Sequence, residues 1–589
     1  MFLSLTKEDV LYPTEKKHFL GKWCINYSKE LTEIRELEQL VVPYPFDREG
    51  ALLKAYQYLQ QVDRDLFPQI TKMLNQFHGV NRSQRYWRMV VGYWWREFIE
   101  VLYERYICLK EAADKLPDAK VKVLNERHFV TPYDTKDFEM LFKNDHYNHQ
   151  LYSQIIHFLK LFDSTLLTDA DVKQLCFDQV PPLQEGWRNK IKHVMCFLSR
   201  WNKLYIASSY LISQYLWRMG LKLKFFPAMD TPRFLVSDNR VVDHLMRKAL
   251  ANMEGKDEFE RLVVSTLSRN FPKIYLEDFS KLCKAVKRNF PKKSVQCILT
   301  ANAFACNEGF KLFAAHQTEA YKTPFVILQH GGNYGCSAWN SSEDYEKEIA
   351  DHYLTYGWAE KNNNKVVPFV ANRFTSDHDG VLGKPDGDII WVMASFPRYS
   401  YTMYAVPVGP QFIDYLNDQA LFLSSLTPVV RSNLKLRSYV HHYGWHDLKY
   451  IQQQSYSLQM ANLKQSLIKE AASARLIICT YNATAHLETF SLNAPTLLYW
   501  NPQHWQLRPE AEAIHQKLHE VGILHYDPIK AAEHATAIYD DVLGWWQQPE
   551  VQQARKEFCQ LYASTSPHYL ETWQQMLKRL LGKKNTNVF

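Results

Sequence analysis

Apolar and polar positions change period along this chain. From Glu49 to Gln76 the apolar residues Leu52, Leu53, Tyr56, Leu59, Val62 and Leu66 recur at helical spacing, which predicts a long helix with one buried face. Before it, a charged helical stretch from Lys29 to Leu40 ends at Pro43-Tyr44-Pro45, because each proline biases its predecessor away from the helix. Residues 98 to 290 read as mainly helical, broken near Pro117, Pro132 and Pro181-Pro182, with no internal repeat and no low-complexity linker.

Near residue 292 the pattern shifts. Ser294 to Leu299 is a β-like run, Ala303 to Tyr321 is helical, and Pro324 to Leu328 is a second run, which together predict a βαβ unit with parallel strands and a right-handed crossover. A further short strand, His352 to Tyr356, ends in Gly357-Trp358. Residues 359 to 388, rich in Gly, Asp and Asn, are expected to contain the connection to a second α/β region. That region reads as strands at Asp388 to Met393, Leu434 to Tyr439, Ala474 to Cys479 and Thr496 to Trp500, with a helix from about Ala485 to Leu492. The predicted organisation is an N-terminal part over 1–375, with a helical elaboration over 1–290 and a Rossmann-like part over about 291–375, and a C-terminal Rossmann-like part over 376–589.

Composition narrows the class without naming the chemistry. With 589 residues, 46% of them hydrophobic, the chain can bury several cores, roughly two to four domains by length. Seventy basic residues against 63 acidic ones, interspersed, give a net charge of +7, which suits localised anionic ligands more than nucleic acid. The ten cysteines lack CxxC pairs and metal-ligand spacing, so reduced thiols, no disulfides and no zinc are expected. His146 and His149 stand three apart in a polar cluster and could bind metal on a helix, but a structural metal site usually needs four ligands. The N-terminus meets charges before a signal-peptide core forms, and nowhere do about 18 apolar residues run together, so neither a cleaved signal nor a membrane span is expected. The amphipathic end, Tyr569 to Leu581 with Lys583-Lys584, fits a packed terminal helix or contact with an anionic membrane.

Candidate chemistry gathers at predicted strand ends, where ligands collect in open α/β sheets. After Phe325-Val326-Ile327-Leu328 comes Gln329-His330-Gly331-Gly332-Asn333-Tyr334-Gly335, whose imidazole can bind phosphate, accept a proton or hydrogen-bond the fold. Gln329, Gly331, Gly332 and Tyr334 are substrate-side candidates, the glycines keeping the wall open, and Asn302 sits in the neighbouring strand-end loop. In the second region Thr480, Asn482 and Thr484 place hydroxyls, an amide and a helix N-terminus where they can face a phosphate. Glu488, one turn on, can accept hydrogen bonds from a ribose or be a surface residue. Arg82, Arg85 and Arg88 lie among aromatics in His78 to Trp95; they form either an anion and sugar surface or a buried helix face paired with acids. No DxD pair stands at a strand end, so no metal is expected.

These features resemble known proteins. Two α/β halves joined by a polar linker and closed by a C-terminal helix look like the GT-B fold, and Thr480 to Trp500 resembles the donor-binding segment of bacterial surface-carbohydrate transferases, including CDP-glycerol and Kdo transferases. The Gln-His-Gly-Gly-x-Tyr-Gly loop, Ala350-Asp351-His352-Tyr353 to Gly357-Trp358, Tyr443-Gly444-Trp445 and His78 to Trp95 resemble bacterial transferases near the capsule Kdo and pseudaminic acid enzymes. The resemblance implies metal-independent transfer of a nonulosonic acid or Kdo-like sugar from a CMP-activated donor to a cell-surface glycan or lipid-linked glycan, with retention favoured. It implies a cytoplasmic enzyme, with peripheral contact at the inner membrane or capsule machinery, and no cofactor beyond the donor. Where that family often carries His-Pro for the phosphate, this chain has Leu436-Arg437-Ser438-Tyr439, so Arg437, and after it His441, are expected to serve. His330 or Glu308 is expected to face the acceptor as the catalytic group. A CDP-polyol phosphotransferase and a non-catalytic glycan-binding scaffold are the alternatives.

Overall fold

The computed structural model describes residues 1–7, 16–175, 198–226, 242–373, 383–439, 441, 443–454 and 458–582. Three sheets, all parallel, organise it. The first joins β1 (Phe2–Ser4), β2 (Lys17–Phe19), β3 (Lys120–Val123) and β4 (Asp163–Leu166) in the order β2-β1-β3-β4. The second runs in sequence order from β5 (Leu204–Ala207) through β6 (Cys297–Thr300), β7 (Phe325–Leu328) and β8 (His352–Thr355) to β9 (Val366–Pro368). The third contains β10 (Ile389–Val392), β11 (Leu434–Arg437), β12 (Gln459–Met460), β13 (Leu476–Cys479), β14 (Thr496–Tyr499) and β15 (Leu524–His525), ordered β12-β11-β10-β13-β14-β15.

The central strands read as short apolar runs without alternation, Cys297–Thr300, Phe325–Leu328, Ile389–Val392 and Leu476–Cys479, each buried along its whole length. That is what a parallel sheet covered on both faces demands. The helices that frame the site are α1 (Ala51–His78), α2 (Gln84–Lys115), α3 (Asp145–Leu159), α4 (Ser213–Leu223), α5 (Glu308–Tyr321), α6 (Ser341–Ile349), α7 (Gln411–Ser425), α8 (Thr484–Ser491), α9 (Pro549–Tyr562) and α10 (Tyr569–Gly582). Ser83 caps α2 by accepting from the Tyr86 amide at 3.2 Å, and α2 packs along α5.

One expectation changes. Residues 1–290 are not wholly helical: they contribute the entire first sheet and the edge strand β5 of the second. Strands of three or four residues are too short to display a period, and only pairing between distant segments makes them strands. The basic finish Lys583-Lys584 lies outside the described residues, while the apolar face of α10, with Tyr569, Trp573, Met576, Leu577 and Leu580, is buried with Leu204, Val326 and Leu328 of the second sheet. Through residue 582 the terminal segment is thus a packed helix that returns from the third-sheet unit to the second. No described helix is long and apolar enough to cross a membrane. Two parallel α/β units facing one cleft, tied by a terminal helix, form a GT-B-like architecture with a large N-terminal elaboration.

One core position carries an unusual cost. His486 on α8 is fully buried against Phe490, Trp500 and Phe558, and neither ring nitrogen has a hydrogen-bond partner. Burial, then the neighbouring His515, holds its pKa down at about 3, so the ring is neutral in the folded state. His486→Leu is expected to raise stability by ~1 kcal/mol or more, since it removes two unsatisfied buried atoms. The sign with pH follows: the unfolded imidazole takes up a proton below about 6.5, so the wild type loses stability as pH falls from there toward 3, and the variant loses less. Thermal unfolding at pH 7 and pH 5 checks both; equal acid sensitivity in the two proteins would contradict it.

Candidate functional site

The third sheet has a topological switch point. From β10 the chain builds outward through β11 and β12, then crosses back to add β13, β14 and β15 on the other side. The last paired residues of the two central strands, Val392 and Cys479, lie side by side, so the loops after them diverge and leave a crevice. A cleft of about 300 Å³ occupies that crevice, with Ala394 to Pro397 on one side and Tyr481 and Ala483 on the other. Tyr401, Tyr404, Tyr439, Tyr443 and Trp505 complete its walls, and Gly331, Asn333 and Tyr334 of the second-sheet unit close it. Rings with polar edges suit a base or a sugar face.

The two units touch where the Gln329-to-Gly335 loop meets the Thr480-to-Thr484 loop. A Cβ on Gly332 would stand 2.1 Å from the carbonyl carbon of Ala483 and 2.2 Å from the amide nitrogen of Thr484. Around this contact the backbone is stitched: Ala338 donates to the Gln506 carbonyl at 2.9 Å, Arg508 donates its amide to the Cys336 carbonyl at 2.9 Å, and its side chain reaches Ser337 and Glu343. Asn482 is spent here too, 3.7 Å from the Cys336 sulfur. Gly332 therefore does not hold the wall open, as the sequence suggested; it lets the loop close over the first residue of α8. The expected anion seat at the α8 N-terminus is covered by that loop, because only a residue without a side chain fits against Ala483 and Thr484.

His330 lies at the rim of the contact, its side chain 25% exposed, among Tyr210, Phe304 and Tyr334. Burial first, and the charge of Arg373 second, push its pKa down to about 4, so the imidazole is neutral at pH 7 and cannot serve as a phosphate-neutralising cation. Its Nδ1 stands 3.7 Å from Glu346, a residue of α6 that the sequence reading missed. Glu346 is 1% exposed and accepts from the Tyr334 hydroxyl at 2.9 Å; burial, reinforced by Glu343, raises its pKa well above the usual carboxylate range. Two weakly charged groups thus face each other behind the loop, and Tyr334 holds one of them in place.

A second cluster bridges the units. Arg373, at the end of the second-sheet unit, pairs with Glu488 of α8 at 3.1 Å and lies over the Tyr210 ring at 5.5 Å. Asn302 donates to the Tyr210 hydroxyl at 2.7 Å, so the loop after β6 joins the same wall as His330. Glu488 is accordingly no free surface residue; burial raises its pKa, and Arg373 opposes that shift.

Other candidates are engaged in holding the fold. Gln329 is fully buried; its carbonyl accepts from the Tyr356 amide at 2.9 Å and the Trp358 indole at 2.8 Å, and its amide nitrogen donates to the Gly331 carbonyl. Thr480 is buried and shares its hydroxyl between Tyr415 and the Val392 carbonyl, pinning β13 to β10. Arg437 pairs with Glu470 and donates to the Gln465 carbonyl at 2.9 Å. Exposed His441 lies tilted against Tyr439 and Tyr443, two residues of the cleft wall. Glu308 lies outside the cleft lining in a closed network with Tyr275 (2.6 Å), Lys311 (3.0 Å) and the Thr135 amide (3.2 Å). Arg82 and Arg85 pair with Glu319 and Asp351, and Arg88 with Asp63, which is the helix-packing role rather than an anion surface. Their partners sit more than 200 residues away in two cases, so local spacing does not reveal them. His149 donates from Nε2 to the Lys122 carbonyl at 2.9 Å, and its Nδ1 lies 3.4 Å from the Thr6 hydroxyl. Among the described residues no three His, Cys, Asp or Glu side chains gather as a metal site requires.

The residues missed by sequence reading are Glu346, Arg373, Tyr210 and, in the cleft, Tyr401 and Tyr404. For the last two, the run Tyr399-Ser400-Tyr401-Thr402-Met403-Tyr404 just past a buried strand was the available signal.

Among solved structures, the chain is similar to a mutant O-GlcNAc transferase of Thermobaculum terrenum, over 84% of this chain and 90% of that one, at 9% identity and a TM-score of 0.31. It is similar to an α,α-trehalose 6-phosphate synthase of Burkholderia multivorans over 65% and 96%, at 10% identity and a TM-score of 0.33. A third likeness, to the glycosyltransferase of kitacinnamycin, covers 66% and 95% at 8% identity and a TM-score of 0.29. No curated protein matches the chain. The sequence model of the LIC12162 family of transferases matches residues 1–577, nearly the whole length, and the chain belongs to that family.

Proposed function

We propose that this transferase moves a sugar from a nucleotide-activated donor to a glycan, with the nucleotide in the aromatic cleft at the β10/β13 switch point. The observation that carries the reading is the position of that cleft: it lies at the carboxyl ends of two adjacent parallel strands where the winding direction reverses, and a loop from the other α/β unit closes it. The donor we favour is a CMP-activated nonulosonic acid or Kdo-like sugar, and the acceptor a capsule or other surface glycan. Such a donor carries one bridging phosphate and one carboxylate, which a few fixed donors can satisfy without a broad basic field. In this reading Arg373, released from Glu488, supplies a cation near the transferred sugar, Glu488 then accepts from the ribose, and His441 contacts the phosphate side.

His330 orients the transferred sugar or the acceptor. With Nδ1 turned toward Glu346, Nε2 is the nitrogen left for a ligand, and a neutral ring can accept a proton from an acceptor hydroxyl. Retention of anomeric configuration is favoured by the sequence resemblance alone. Glu308 is the weaker catalytic candidate, since Tyr275, Lys311 and Thr135 already saturate its carboxylate.

Incubation with a panel of CMP-sugars, with CMP release followed by mass spectrometry, tests the reading. Release is expected from at least one nonulosonic acid or Kdo donor, and His330→Ala is expected to slow it by about 100-fold or more, the scale of losing a positioned proton-transfer group. No release from any member of the panel would discard the CMP-sugar donor.

A further inference from the structure

A second cavity, of about 380 Å³, lies outside the cleft, between α1, α2 and α6. Its size falls within the range of small-molecule sites, about 300–1,000 Å³. The walls are planar polar side chains held rigidly. Asp63 accepts both terminal nitrogens of Arg88, at 2.7 and 2.8 Å, and the Trp95 indole at 2.7 Å. Glu348 stands 3.0 Å from the Arg88 Nε, and Asp344 accepts from the Tyr56 hydroxyl, to which Gln60 donates at 2.6 Å. These last two carboxylates remain accessible, with side chains 51% and 42% exposed.

Arg96 breaks the pattern of satisfied partners. It is 9% exposed, its Nη1 donates to the Ser341 hydroxyl at 2.7 Å and the Tyr404 hydroxyl at 3.2 Å, and its Nε and Nη2 have no hydrogen-bond partner. Buried guanidinium donors without acceptors are exceptions in folded proteins, and an oxygen from water, an ion or a ligand is what completes them. Charge decides what kind of ligand. Arg64, Arg88 and Arg96 oppose Asp63, Glu100, Asp344 and Glu348, so the lining sums to within one charge of zero. A net cation or anion gains little there, whereas a molecule presenting many hydroxyls can donate to carboxylates and accept from a guanidinium and amides at once.

We propose that this cavity is a second carbohydrate site, holding one neutral sugar unit whose hydroxyls donate to Asp344 and Glu348 and accept from Arg96. Its wall is shared with the cleft: Arg96 also touches Tyr404, and Ser341 follows Asn340, both Tyr404 and Asn340 lining the cleft. A glycan bound here lies beside the transfer site without occupying it, which suits a non-reacting unit of an acceptor chain. The proposal needs no nucleotide and stands or falls separately from the donor assignment.

The test is saturation-transfer NMR on the full chain with glucose, galactose, mannose, rhamnose and N-acetylglucosamine, each alone. At least one is expected to show transfer, and the double variant D344N/E348Q to weaken it by about fivefold or more, because hydroxyl acceptors become mixed amide groups. Thermal unfolding and circular dichroism of the variant separate a local change from a lost fold. No transfer from any of the five sugars, or transfer undiminished in a folded double variant, would overturn the proposal.

Discussion

Gly332→Ala is expected to cut transfer by about 100-fold or more while leaving the secondary structure intact, the scale associated with displacing a catalytic loop by about 1 Å. The added methyl would sit 2.1 Å from the Ala483 carbonyl carbon and 2.2 Å from the Thr484 nitrogen, both backbone atoms that no rotamer change can move aside. Relief requires the two loops to part, yet both are anchored nearby by the Ala338–Gln506 and Cys336–Arg508 backbone hydrogen bonds. Overpacking of this kind costs ~1–3 kcal/mol and here falls entirely on the contact that closes the cleft. CMP release and circular dichroism on the same preparation check it. A variant turning over at the wild-type rate would show that the loops part freely and that the closed contact is not needed for transfer.

Arg398→Met is expected to destabilise the protein by ~3–5 kcal/mol, the cost of stripping a buried acid of its cation. Arg398 leaves the carboxyl end of β10 directly after the cleft residues Ala394 to Pro397, and pairs with Asp145 at the start of α3 at 2.5 Å while donating to the Trp23 carbonyl at 3.2 Å. Its side chain is 11% exposed and that of Asp145 only 2%, so water cannot replace the lost partner. The neighbouring Tyr399 hydroxyl also donates to Asp145, which softens the loss without neutralising the charge. Adding Asp145→Asn to Arg398→Met should recover part of the stability, because it removes the stranded carboxylate. Melting temperatures of the wild type, both single variants and the double variant form the cycle. A double variant no more stable than Arg398→Met alone would count against the ion pair as the cause.

Much of the frame was legible before any coordinates. The runs at 297–300, 325–328, 352–355, 389–392, 434–437, 476–479 and 496–499 are strands within a few residues of where the apolar pattern puts them, and the helix beginning at Thr484 follows its loop as read. What sequence could not supply was partnership. Thr480, Asn482, Gln329 and Arg437 have the right residue types at strand ends, but each is consumed by a neighbour distant in sequence: Tyr415, Cys336, Trp358 and Glu470. Conversely, Glu346 and Arg373 lie in stretches with no motif, and become notable only because folding sets them beside His330 and Glu488.

By itself, then, the sequence determined many of the local states and the class: short continuous apolar runs bounded by turn residues fit parallel strands covered on both faces, and the loops that follow such strands line a sheet edge. Tertiary structure decided which of those loops meet. The strand order β12-β11-β10-β13-β14-β15, the first sheet built from residues otherwise read as part of a helical elaboration, and the closure of Gly332 on Thr484 all depend on pairings across tens to hundreds of residues. Periodicity reports the environment of each segment, whereas register and order are set by competition among segments for the same buried edge, and that competition is settled only in the folded chain.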